Sequence, residues 1–277
     1  MTLGIEYAFP QAAEPFRDSG ATLAKPYPEL GRWSTVQPEA DSGYDWTRVD
    51  AFVRAFQAAD FTDLNLMMSA WSDWANVDPP RVPFNRGDSR IKPENEEDFA
   101  AYVQAYVERY DLDGQEDMPG LRYPVRLYGL EPEYSSYVPG DAESYIRLLE
   151  LAYPAAKRAH PDTQLMTAGL LLAYVFDGYP TADDVTARLA APDVRVFDKS
   201  PADIGILLDH PELFDIVDFH SLADYTEIIP TVAWLRAEMS RRGYERPIWI
   251  GDTWGGSSLA GYGPVNCPAG PNRALLA

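Results

Sequence analysis

The sequence predicts an α/β fold of the (β/α)8 TIM-barrel type, formed as one domain over residues 1–277. Two observations carry the prediction. Short apolar runs of β character alternate with amphipathic helical runs, the pattern of a parallel sheet wrapped by helices. The long Pro-, Gly- and Asp-rich stretches at 26–44, 70–93, 133–140, 174–200 and 254–271 follow the C-terminal ends of β runs, where a barrel builds its functional face.

In chain order, strands are predicted at 3–9 and 22–25. A helix then sets Val49, Phe52, Val53 and Phe56 on a 3.6-residue stripe behind Asp45 as N-cap. The third strand, 63–69, is followed by a helix with Phe99, Tyr102, Val103, Tyr106, Val107 and Tyr110 on one face. The fourth, 125–129, leads to a helix capped by Asp141 whose stripe is Tyr145, Leu148, Leu149, Ala152, Ala155 and Ala156. Strands at 164–170, 216–220 and 247–251 complete the series. The stripes are core faces. Seven strands are one short of a closed barrel, and mostly Gly- and Pro-rich loop follows Gly251, so the last βα unit is expected to be missing at the C-terminus.

Lys and Arg number 23 against 43 Asp and Glu, a formal net charge of -20 that repels polyanions and excludes a basic nucleic-acid groove. The charge reads as a solvated surface in preference to a calcium or acidic-ligand role. No apolar run is long enough to span a membrane, and residues 1–9 lack a signal-peptide pattern, so a soluble protein is expected. The single Cys267 excludes an internal disulfide. His160, His210 and His220 show no paired zinc-ligand spacing, so neither a metal nor an organic cofactor is expected.

Two acids stand where a strand gives way to a loop: Glu131 in Leu127-Tyr128-Gly129-Leu130-Glu131-Pro132-Glu133-Tyr134, and Asp252 in Pro247-Ile248-Trp249-Ile250-Gly251-Asp252-Thr253-Trp254. Acids on two non-adjacent strand ends can flank one bond, as glycoside hydrolysis requires. One carboxyl protonates the leaving oxygen and an ionised one attacks or stabilises the sugar cation. Trp71, Trp74 and Trp254 follow strand ends and offer faces for sugar rings, each equally readable as loop packing, whereas Trp249 reads as core. Lys25 ends the second strand, placed to pair with a carboxylate or a sugar hydroxyl. His220 shares a face with Asp218, either as a site residue or as a hydrogen-bonded structural histidine. Glu133 and Tyr134 are secondary site candidates that read first as loop residues.

Several motifs, in order and at barrel spacing, carry a resemblance. They are Trp33-Ser34-Thr35-Val36-Gln37-Pro38-Glu39, Gly43-Tyr44-Asp45-Trp46 with Val49-Asp50, Ser69-Ala70-Trp71, Glu131-Pro132, Asp218-Phe219-His220 and Pro247-Ile248-Trp249-Ile250. Together they resemble glycoside hydrolase clan A, particularly the barrels of the family 42 and family 39 type. The resemblance implies a retaining two-carboxylate mechanism, with Glu131 at the acid/base position and Asp252 at the nucleophile position. Two departures stand out. Leu130 replaces the asparagine that bonds the sugar 2-hydroxyl, and Asp252 is one methylene shorter than the usual glutamate, which widens the carboxyl separation toward the inverting range. Two readings follow: a glycoside hydrolase cleaving a β-linked glycoside, or a non-catalytic barrel derived from one. Carbohydrate is the expected partner in both.

Overall fold

Parallel strands cannot be joined by tight turns, so each crossover must carry a helix or a long loop back to the start of the next strand. The computed structural model describes residues 4–78, 88–138, 141–172, 175–191, 199–222 and 225–253. Its strands are β1 (Gly4–Ala8), β2 (Leu23–Pro26), β3 (Asp63–Met68), β4 (Asn76–Asp78), β5 (Asp88–Ile91), β6 (Leu127–Leu130), β7 (Gln164–Met166), β8 (Val217–Ser221) and β9 (Ile248–Thr253). The helices are α1 (Ala13–Asp18), α2 (Trp33–Val36), α3 (Thr47–Ala58), α4 (Glu96–Glu108), α5 (Tyr134–Tyr137), α6 (Ala142–Ala159), α7 (Ala182–Ala190), α8 (Pro201–Leu208) and α9 (Ile228–Arg241).

All seven predicted strands form, and they pair in parallel in the order β1-β2-β3-β6-β7, with β8-β9 as a second ladder. Single parallel bridges, Met166 to Ile216 and Leu170 to Phe219, join the two ladders. The series curls: Glu6 on β1 lies close enough to Asp252 on β9 to feel its charge. Among the described residues no ladder joins β9 to β1. The stretches read as loops hold more structure than expected. An antiparallel hairpin, β4 with β5, sits inside 70–93, and α7 forms within 174–200. The start of α7 is fixed by a capping box in which Thr181 and Asp184 bond each other's backbone amides.

The predicted stripes of α3, α4 and α6 are buried, and Asp141 caps α6 by accepting the Ser144 amide. Asp45 lies one residue outside the cap of α3, where Trp46 stands; its carboxylate accepts the Thr47 amide at 3.0 Å. Between helices and sheet runs a line of buried aromatics, Trp33, Phe99, Tyr102, Tyr106 and Tyr110, in ring contact from one to the next. No helix among the described residues is long and apolar enough to cross a membrane.

Tyr145 links this core to the strand ends. From α6 its hydroxyl donates to the Leu130 carbonyl at 2.8 Å and accepts the Ala168 amide at 2.5 Å, clamping the ends of β6 and β7 together. All three groups are buried, so deleting the hydroxyl strands a donor and an acceptor. Tyr145→Phe should cost about 2 kcal/mol, seen as a lower urea midpoint with an unchanged slope.

Candidate active site

Side chains on a strand alternate faces, so residues two apart near the strand ends point the same way. Asp218 and His220 of β8 do so, and both are buried. An irregularity in the β8–β9 ladder between Phe219 and His220 sets Asp252, instead of Gly251, opposite His220. Such a slip is how a sheet re-aims one side chain without moving the strand. Beyond β6, Glu133 pairs in parallel with Gly169.

These placements bring three groups together. His220 Nδ1 lies 3.0 Å from Glu133 Oε1, and its Nε2 lies 3.6 Å from Asp218 Oδ2. One donor atom from each of Glu133, His220 and Asp252 falls within 4.8 Å of the other two. Two glycines make the room. A Cβ on Gly169 would stand 2.1 Å from His220 Nε2, and one on Gly251 would stand 2.2 Å from Asp218 Oδ2.

Burial disfavours a charged imidazole, but the Asp218 carboxylate 3.6 Å away and the hydrogen bond to Glu133 outweigh it and carry the His220 pKa up to about 9. At neutral pH the ring is therefore a buried cation between two acids. Lys25, also buried, forms an ion pair of 2.6 Å with Glu6. Burial pushes the Glu6 carboxyl up to about 7; the Lys25 ammonium opposes this and the charge of Asp252 adds to it. Glu133, His220 and Asp252 are also the donor set a divalent cation would use. A metal would first have to displace the proton that His220 holds to about pH 9.

Glu131 lies in a different setting. Its backbone takes a left-handed φ of 64°, its side chain is fully buried, and its oxygens accept the Ser69 hydroxyl at 2.9 Å and the Ala70 amide at 2.6 Å. Burial pushes its pKa up to about 7 against those two donors. The tryptophans are engaged in packing: Arg32 lies 4.6 Å over the Trp71 ring, and Trp74 meets Trp33 edge-on at 4.8 Å while donating to the Gln37 carbonyl. Trp254 lies outside the described residues. Thus Lys25, His220 and Asp252 gather near one another and Glu131 bonds the end of β3; Glu133, a secondary candidate in the sequence, joins the cluster, as does Glu6, which the sequence did not mark. The signal for Glu133 was its place in the loop just past β6, two residues beyond Glu131, whereas Glu6 falls inside a predicted strand.

No protein-family model matches the sequence, and no curated protein matches it. Solved structures do. A glucosidase from Croceicoccus marinus aligns over 90% of this chain and 50% of its own, at 13% identity and a TM-score of 0.60. A GH39 β-xylosidase from Caulobacter crescentus aligns over 90% and 52%, at 13% identity and a TM-score of 0.56. The intracellular xylanase TsXylA from Thermoanaerobacterium saccharolyticum, solved with xylotetraose, aligns over 90% and 71%, at 9% identity and a TM-score of 0.52. The chain has the fold of the barrel glycosidases. It spans about half the length of the first two.

Two measurements test the electrostatics. The His220 ring should titrate near pH 9 by NMR, and Glu133→Gln should move the midpoint down by removing the negative charge of its hydrogen-bonded partner. The folded state holds protons on Glu131 and Glu6 up to about pH 7 that the unfolded chain loses near 4.5, so stability should fall as pH rises across that window. The contribution of His220 is complete below its ordinary 6.5 and is lost as pH rises through about 9. Denaturation of Glu131→Gln should show a flatter slope between pH 4.5 and 7 only.

Proposed function

We propose that the chain is a glycoside hydrolase in which Asp252 is the nucleophile and Glu133, backed by His220, is the acid/base. The observation that carries the reading is the meeting of Glu133, His220 and Asp252 within 4.8 Å at the ends of the strand series. Oxygens that close suit the retaining arrangement, in which the carboxyls stand about 5–5.5 Å apart, better than the inverting one. Taking Glu133 as the partner also offsets the methylene that Asp252 lacks.

In this mechanism the ionised Asp252 attacks the anomeric carbon as the glycosidic C–O bond breaks. Glu133 delivers to the leaving oxygen the proton that the Glu133–His220 pair holds at neutral pH. Water then cleaves the glycosyl ester, with Glu133 taking its proton and regenerating Asp252. Asp218 and Glu133 keep the imidazole charged against the opposing charge of Lys25. Glu131 is a positioning residue that ties the end of β6 to Ser69 and Ala70. The sugar and linkage are to be found by turnover of an aryl-glycoside panel.

A second reading gives the acid/base role to Glu131, favoured by a pKa near 7 and by its place in the Glu131-Pro132 motif. Leaving groups separate the two. Loss of the true acid should lower kcat/KM for alkyl glycosides by about 10²–10⁴-fold while sparing kcat/KM for dinitrophenyl glycosides, whose first step needs no proton; kcat for the latter should fall because the same residue activates water in the second step. That pattern is expected for Glu133→Gln, with an alkaline limb near pH 9 in the native enzyme; a limb near pH 7 and the same pattern in Glu131→Gln would transfer the role. Asp252→Asn should abolish turnover of both substrates. Binding of oligosaccharides with no hydrolysis of any glycoside would establish the non-catalytic barrel instead, which Leu130 and the short Asp252 favour.

A further inference from the structure

The last residue of α4, Glu108, and the segment that leads from it toward β6, with Asp111, Asp113, Glu116 and Asp117, gather five acids. As an αβ connection the segment lies at the N-terminal face of the strands, away from the cluster just described. One oxygen from each of Glu108, Asp111 and Asp113 lies within 4.8 Å of the other two. Oxygens bound to one calcium ion at about 2.4 Å can stand no farther apart than that.

Asp111 supplies an independent sign of a missing partner. The residue is fully buried; its Oδ1 accepts the Asp113 amide at 3.1 Å, but its Oδ2 is buried with no hydrogen-bond partner. An unpaired buried carboxylate oxygen is costly, and a fold keeps one where something else binds it. Among the described residues no lysine or arginine nitrogen lies within 4.0 Å of these three carboxylates. The neighbouring Arg109 is spent on Asp50 at 2.7 Å and on the carbonyls of Glu116 and Asp117. His160 is the base near enough to act on Asp111 and Asp113. Burial and then mutual repulsion raise the proton affinity of Glu108, and the same two effects outweigh the Asp113 amide at Asp111.

We propose that Glu108, Asp111 and Asp113 form a binding site for a calcium-like divalent cation. The donors are all hard oxygens on a short segment, which suits calcium's variable coordination better than zinc's nitrogen and sulfur preference or magnesium's strict octahedron. The segment is not an EF-hand loop: counted from Asp111, its sixth position is Glu116 where that loop has glycine. A bound ion would neutralise the cluster and fasten the segment between α4 and β6, a structural role independent of the glycosidase reading.

The test is calorimetric titration of the whole chain with calcium chloride after chelator treatment, with thermal unfolding at constant ionic strength. One ion should bind, and calcium at a hundred times Kd should raise Tm by roughly 5–10 °C. Asp111→Asn keeps the acceptor for the Asp113 amide and relieves repulsion, so it should fold at least as stably without calcium, yet lose the heat and the Tm rise. Glu108→Gln should weaken both, and Asp252→Asn should leave both intact. Absence of a calcium response in the native chain, or a response that survives Asp111→Asn and Glu108→Gln, overturns the site.

Discussion

A charged imidazole buried between two carboxylates is the constraint around which the strand ends are arranged. His220 touches Glu133 on one side and Asp218 on the other, and each of the three would be costly to bury alone. Lys25 is held beside them by its ion pair with Glu6 and by the charge of Asp218, attractions that act only at close range. Close range in turn dictates backbone. Gly169 lets the ring lie against β7's extension, Gly251 lets Asp218 lie against β9, and the slip after Phe219 brings Asp252 level with the ring. Residues without charge thereby become as specific as those with it.

The elements were legible in the sequence wherever a single period governed burial. Phe99, Tyr102, Val103 and Tyr106, or Tyr145, Leu148, Leu149 and Ala152, declare a helix face by spacing alone, and the seven parallel strands announce themselves as short apolar runs. The hairpin of β4 and β5 and the helix α7 were hidden because their segments are rich in Pro, Gly and Asp, and composition masks local order. At the site, Asp252, His220 and Lys25 were visible because they terminate strands. The partnership of His220 with Glu133 was not, since it spans 87 residues of chain and depends on the register of β6's extension against β7's. Nor does sequence distinguish Trp71 and Trp74 as packed rings from open platforms, because loop tryptophans serve both ends.

The comparison with solved glycosidases sharpens this point. At 9–13% identity, a shared fold persists over 90% of the chain. What is shared at that distance is the alternation of buried and exposed positions, which many residues satisfy. The polar cluster is a narrower requirement, and two of its supports are glycines whose only contribution is absence of bulk.

Glu131 shows what such a requirement does to a fold. A non-glycine residue in left-handed backbone costs about 1–2 kcal/mol, and here the same residue also withdraws a carboxyl from water. Asparagine or glycine would relax both burdens at once. The molecule is thus held below the robustness its own scaffold permits, and a screen for heat tolerance alone would drift away from glutamate at this corner, trading the shape of the mouth for durability.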